Sequence, residues 1–188
     1  MTNYTIIGII SGLLGVLAYI PYVISIYKKR ITPHPFSWFL WAVLGFATFI
    51  TYIGVGAKET LPLAFISFFG PIIIFFITLK NWKRKFPKFD YFCLVFALLA
   101  IIVYVVFHQA AIALTLSLVG DLFAALPTIR KTYEDPSSEN FWTWFLFALG
   151  AIVALFAIKD FTYGVLIFPL YLTVFEVCMC LIILRKKY

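Results

Sequence analysis

Charge is scarce in this sequence: 12% of its 188 residues are charged, while 64% are hydrophobic. A water-soluble domain of this length covers itself with about twice that share of Asp, Glu, Lys and Arg, so a soluble fold is excluded at the outset. Cysteine is scarce too, with Cys93, Cys178 and Cys180 all inside apolar runs. Residues two apart on a helix point in nearly opposite directions, so Cys178 and Cys180 form neither a disulfide nor a metal pair and read as small apolar fillers. The two histidines, His34 and His108, stand at the ends of apolar runs and read as solvated loop residues. No GxxxxGK[ST] loop is present, which removes a self-contained ATP-driven pump. HExxH and GxSxG are missing as well, and with them the usual signatures of an intramembrane hydrolase. No lysine falls inside an apolar run, which removes a retinal Schiff base.

What the chain has is long apolar runs and a mean hydropathy of +1.03. The runs are about 18 to 24 residues long, enough at 1.5 Å per residue to cross a hydrocarbon core about 30 Å thick. They predict helices over 4–27, 36–56, 61–79, 90–107, 110–130, 141–158 and 163–184: an all-α membrane protein of seven transmembrane helices. The first run lacks a basic leading segment, is too long for a signal-peptide core and contains Pro21, so it reads as the first span.

The net charge of +7 gathers in four clusters: Lys28-Lys29-Arg30; Lys80, Lys83, Arg84, Lys85 and Lys88; Arg130-Lys131; and Arg185-Lys186-Lys187. Each closes an apolar run, where it anchors a helix end, and none has the context of a nucleic-acid reading module. Assigned to alternate loops, 13 Lys and Arg fall on one side and only Lys58 and Lys159 on the other, which accounts for all 15. The positive-inside bias then predicts an outside N-terminus and a cytoplasmic C-terminus.

An internal repeat runs through the chain. Residues 18–43, AYIPYVISIYKKRITPHPFSWFLWAV, align without a gap on 124–149, AALPTIRKTYEDPSSENFWTWFLFAL. The identities include Ala18/Ala124, Pro21/Pro127, Tyr27/Tyr133, Trp38/Trp144 and Phe39/Phe145. Matching Pro, Tyr and Trp in one register is hard to achieve by apolar composition alone. Leu61-Pro62-Leu63 and Phe168-Pro169-Leu170 extend the match to the third helix of each unit. A three-helix unit starts and ends on opposite sides of a membrane, so two copies point the same way only if an extra helix carries the chain back. The expected plan is a 3+1+3 parallel repeat of three-helix bundles: 1–85 the first unit, 86–109 the linking helix, 110–188 the second.

With this plan, the outside N-terminus and the loops IPYVISIYKKRITPHPFSWF (20–39) and LPTIRKTYEDPSSENFWTWF (126–145), the sequence resembles the SWEET / PQ-loop (MtN3-like) transporter superfamily. The resemblance implies alternating access for a small solute, with hinges at Pro21 and Pro127. Where the family's naming glutamine stands, this chain has Tyr22 and Thr128; where helix-two and helix-six prolines stand, it has Leu40 and Leu146. The asparagines that sugar-carrying members place on helices three and seven have no clear counterpart here: Ser67 stands nearest on helix three, and helix seven has Leu170 and Thr173.

Two acids fall inside predicted spans, Asp121 on helix five and Glu176 on helix seven, about 16 and 20 Å from the outer ends of their helices by helical rise. Ionisable groups at such depth are costly and mark function, as a proton carrier or as counter-charge to a cationic solute. Their repeat equivalents are Gly15 and Phe69, so the acids belong to one half only. Ser67 and Thr173 join them as candidate binding residues. Trp38, Trp41, Trp142 and Trp144 read as interfacial anchors, with the repeat-matched Trp38 and Trp144 as gate or stacking candidates.

These features predict a secondary transporter in the cell membrane, facilitative or proton-coupled, for a small polar solute such as a sugar, amino acid or vitamin. The alternative is a membrane receptor or sorting protein of the same fold. The implied partners are the solute, protons in the coupled case, the lipid bilayer and, where chains associate, a second copy in a homo-oligomer. No cofactor, metal or nucleic acid has a place, nor does an enzymatic activity.

Overall fold

The computed structural model describes residues 2–31, 33–79 and 88–185, with the side chains of 88–94, 96 and 97 not described. Outside the described residues lie Lys80, Lys83, Arg84 and Lys85 of the second basic cluster, the expected boundary at 85/86, and Lys186-Lys187; the side chains of Lys88 and Cys93 are likewise outside. The described residues form seven α-helices and no strand. They are α1 (Asn3–Tyr27), α2 (Pro35–Gly54), α3 (Leu61–Thr78), α4 (Lys88–Phe107), α5 (Ala110–Glu134), α6 (Phe141–Phe156) and α7 (Tyr163–Leu184), with a short 3-10 turn at Pro136–Ser138.

Local chemistry sets most helix starts. The side chains of Thr2, His34, Asn140 and Thr162 each accept from a backbone N–H in the first turn of α1, α2, α6 and α7. His34 is therefore a half-buried cap rather than a solvated loop residue: its Nδ1 lies 3.4 Å from Ser37 N. Pro35 and Pro62 occupy first turns, where the missing N–H has no partner to lose. α5 runs a turn past the expected end at 130, because Arg130 pairs with Glu134 at 2.8 Å along the helix and Lys131 lies in the last turn, where the helix dipole favours a cation. Both α1 and α5 continue as helix through Pro21 and Pro127.

Five helices, α1, α2, α3, α5 and α7, are long and apolar enough to cross a membrane by length and composition. α6 is shorter, at 16 residues. The surface pattern is that of a multi-pass membrane protein: Ile6, Ile10, Leu13, Leu17, Ile20 and Ile24 point outward along α1, as do Leu170, Val174, Val177, Leu181 and Leu184 along α7. The inward face of α1 is small, with Gly8, Ser11, Gly12, Gly15 and Ala18 buried. Small residues at such spacing let helix backbones approach closely where lipid gives no hydrophobic drive to association. A Cβ on Gly8 would stand 1.8 Å from the Glu59 carbonyl oxygen, and one on Gly12 would stand 2.7 Å from Pro62 Cβ.

α3 packs against both α1 and α2, and α7 packs against both α5 and α6. Between these triads the main contacts are α1 with α6 and α2 with α5, while α4 lies on α5 and α2. Two buried clusters result. One gathers Tyr22, Phe36, Trp38, Trp41, Ile74, Trp144 and Met179 near the helix ends that carry the basic residues, called the basic end below. The other gathers Tyr52, Leu63, Leu114, Leu118, Ala154, Phe168 and Leu172 toward the far end.

Candidate functional site

Where the two clusters meet there is a cavity of about 70 Å³. It borrows Trp38, Trp41 and Trp144 from the basic-end cluster and Leu63 and Leu172 from the far-end cluster. The first triad contributes Gly15, Tyr19, Ile66, Ser67 and Pro71 as well, and the second contributes Asp121, Phe147, Phe175 and Glu176. Of the residues named from the sequence, the cavity thus brings together Asp121, Glu176, Ser67, Trp38 and Trp144. It leaves out Thr173, whose hydroxyl donates to the Pro169 carbonyl one turn back at 2.8 Å. Pro21 and Pro127 lie beyond it toward the basic end, and Pro71, not singled out in the sequence, lines it directly.

The helices set the wall chemistry. Tyr19 fits because α3 presents Gly70 to it: a Cβ there would stand 2.0 Å from the Tyr19 ring. From that position Tyr19 meets Phe147 of the other triad edge-on at 4.9 Å and Trp38 at 6.3 Å. The rings continue through Trp38–Trp41 at 5.0 Å, Trp41–Trp144 at 6.3 Å and Trp144–Phe175 at 5.7 Å. Such edge-to-face packing is the favoured aromatic geometry and stiffens the wall. Trp142, 63% exposed, keeps the outward position of an interfacial anchor, whereas Trp38, Trp41 and Trp144 are buried.

The acids differ in how they are held. Asp121 Oδ2 accepts from the Tyr171 hydroxyl at 2.6 Å. Glu176 is 8% exposed, and its Oε2 is buried without a hydrogen-bond partner. Trp41 Nε1 is likewise buried with no acceptor. Buried polar atoms are normally satisfied, and here an acceptor and a donor on two lining residues are open to partners from a bound molecule or water.

Each end is held across the triads by its own polar contacts. At the basic end the centre is Glu139, in the loop before α6 and outside the sequence-derived candidates. Its Oε1 accepts from Lys131 Nζ at 2.6 Å and from the Tyr22 hydroxyl at 3.4 Å, and its Oε2 accepts from Trp144 Nε1 at 3.2 Å. Trp38 Nε1 in turn donates to the Tyr22 hydroxyl at 3.2 Å. Asn140, the α6 cap, donates to Ser25 Oγ at 2.8 Å and so ties the same loop to α1. The signal available for Glu139 was its place beside that cap, five residues before the repeat-matched Trp144. At the far end the Tyr52 hydroxyl donates to the Val165 carbonyl at 2.8 Å and lies 2.7 Å from Thr60 Oγ1, which joins α2 to α7. Between the two ends, Ser11 Oγ donates to the Gly150 carbonyl at 2.8 Å and links α1 to α6.

Among the described residues no group of three or more His, Cys, Asp or Glu is placed to hold a metal ion. Comparisons of the chain with protein-family models, curated proteins and solved structures find no match.

Proposed function

We propose that this chain is a secondary transporter of the SWEET / PQ-loop type, seven spans in a 3+1+3 parallel repeat, with the basic end cytoplasmic. It moves a small solute by opening the central cavity to one side and then the other. The observation that carries this reading is the cavity itself, built at the seam between two triads and bordered at either end by a separate buried cluster. The packing supports the repeat. Exchanging α1 for α5, α2 for α6 and α3 for α7 converts α1–α3 into α5–α7, α2–α3 into α6–α7 and α1–α6 into α5–α2, leaving α4 outside the scheme. Parallel repeats related by an axis along the membrane normal have this property, and their solute sites lie near the midplane.

In this reading, opening toward the cytoplasm separates Glu139 and Trp144 from Tyr22 and Trp38, with Pro21 and Pro127 as bending points where a backbone hydrogen bond is already missing. Opening outward separates Tyr52 from Val165. Each set of contacts is stronger in one access state than in the other, which is what a switching element requires.

Exchange and accumulation in proteoliposomes test this reading. A labelled panel of sugars, amino acids and vitamins is screened first by thermal shift, since preferential binding to the folded state raises the melting temperature. The wild type is expected to exchange at least one stabilising solute across the membrane. Where accumulation follows an imposed pH gradient, Asp121→Asn or Glu176→Gln is expected to abolish it and leave downhill exchange measurable. A protein that binds a solute but never moves it would instead be a receptor or sorting protein.

A further inference from the structure

From the charge and wall chemistry of the cavity we infer that its solute is a compact organic cation, an ammonium or a substituted ammonium. The inference rests on the transport reading only for the word solute; the binding site is argued from the side chains. The chain as a whole carries a net charge of +7, yet among the described residues the ionisable side chains lining the cavity are Asp121, Glu176 and Tyr19, with no Lys, Arg or His. The basic group of the basic-end network, Lys131, is engaged by Glu139 at 2.6 Å.

The two acids divide the work. Asp121 has a donor in Tyr171, 2.6 Å away, whereas Glu176 Oε2 is buried and unfilled. Glu176 is therefore the direct counter-charge, and Asp121 deepens the negative potential beside it. Around them stand six aromatic side chains, Tyr19, Trp38, Trp41, Trp144, Phe147 and Phe175. Aromatic faces attract ammonium groups, with Trp the strongest, and cages of such rings are how proteins hold quaternary ammonium.

A bare metal cation is disfavoured by the same wall, because hard cations take six or more oxygen ligands and the cavity offers two carboxylates and few hydroxyls. An anion would face two acids with no cation to offset them. The unfilled Trp41 Nε1 adds a donor for a hydroxyl or carbonyl oxygen on the same molecule. The volume of about 70 Å³ is far below that of drug-sized sites and restricts the ligand to a compact one.

Binding is measured on the full chain in lipid nanodiscs, by thermal shift and by tryptophan fluorescence, to which the three cavity tryptophans contribute among five in the chain. The probes are methylammonium, tetramethylammonium, choline and the uncharged isostere of choline in which carbon replaces nitrogen. At least one cation is expected to raise the melting temperature and change the fluorescence, with the isostere at equal concentration doing neither. Glu176→Gln is expected to weaken that cation about tenfold or more, as loss of a buried counter-charge does. Glu176→Asp, which restores the charge, is expected to recover part of the loss. Failure of all three cations to bind, equal binding of the isostere, or wild-type affinity in Glu176→Gln overturns the inference. The wild-type comparison of choline with its isostere stands even if Glu176→Gln does not fold. A cation that binds but is never moved would count against transport and leave this inference standing; a sugar that is moved while no cation binds would do the reverse.

Discussion

α1 and α5 bury equivalent positions, 106 residues apart, and fill them differently. Where α1 has Gly8, Gly12 and Gly15, α5 has Leu114, Leu118 and Asp121; Ser11 faces Ser117, Ala18 faces Ala124, and Tyr22 faces Thr128. The glycines let α1 press against the start of α3, whereas the leucines of α5 fill the far-end cluster. The two repeat-matched tryptophans also diverge: both are 3% exposed and both donate, but Trp38 to a phenol and Trp144 to a carboxylate. In the proposed repeat, a shared frame therefore carries unequal chemistry. The first triad supplies small residues and close approach, and the second supplies every acid of the cavity and of the basic-end network.

Removing the difference between α1 and α5 should cost most. Leu114 is fully buried, so Leu114→Ala is expected to destabilise by about 2–5 kcal/mol through the space it leaves. At the equivalent place Gly8→Ala should cost about 1–3 kcal/mol for the opposite reason, since its Cβ meets the rigid Glu59 backbone. Reversible denaturation in detergent micelles measures both, and tolerance of Ala at position 8 would show that the close approach of α1 to α3 is not needed.

Next comes the basic end. Glu139→Ala removes one acceptor from Lys131, from Trp144 Nε1 and from the Tyr22 hydroxyl, and is expected to cost about 2–3 kcal/mol. Lys131 keeps 23% side-chain exposure, so water takes up part of the loss. In the proposed cycle the same change favours the cytoplasm-open state, and should speed labelling of the cavity from that side. Pro33 holds the repeat-equivalent position, so no matching effect is expected there.

The smallest contrast is between two serines. Ser11 bonds across to Gly150, while Ser117 bonds back to the Ala113 carbonyl of its own helix at 3.0 Å. Ser11→Ala is expected to cost about 1 kcal/mol and Ser117→Ala less than half of that, measured in the same denaturation series. Equal losses would mean that the α1–α6 bond carries no special weight.

The helices were legible in the sequence because long apolar runs, Pro and polar caps leave few alternatives. The acids were legible for a similar reason, as carboxylates inside apolar runs stand out. Glu139 was not: the run Glu134-Asp135-Pro136-Ser137-Ser138-Glu139-Asn140 reads as a solvated turn, and nothing local says that its last acid is buried. Its burial depends on Tyr22 and Trp144 arriving from separate triads, which is long-range information. The tryptophans show the same limit. Trp142 and Trp144 look alike in sequence, yet one faces outward and the other lines the cavity, a distinction set by helix rotation against α7 and α1.

The central claim, that one cavity is reached alternately from both sides, is tested most directly by cysteine accessibility at Ser67. Ser67 lines the cavity from α3, and Cys is close to it in size. In a background with Cys93, Cys178 and Cys180 replaced by alanine, Ser67→Cys is exposed to a membrane-impermeant thiol reagent applied to one face of sealed proteoliposomes at a time. The account predicts modification from either face, slowed from both by a bound solute. Modification from one face only, or from neither, would contradict it.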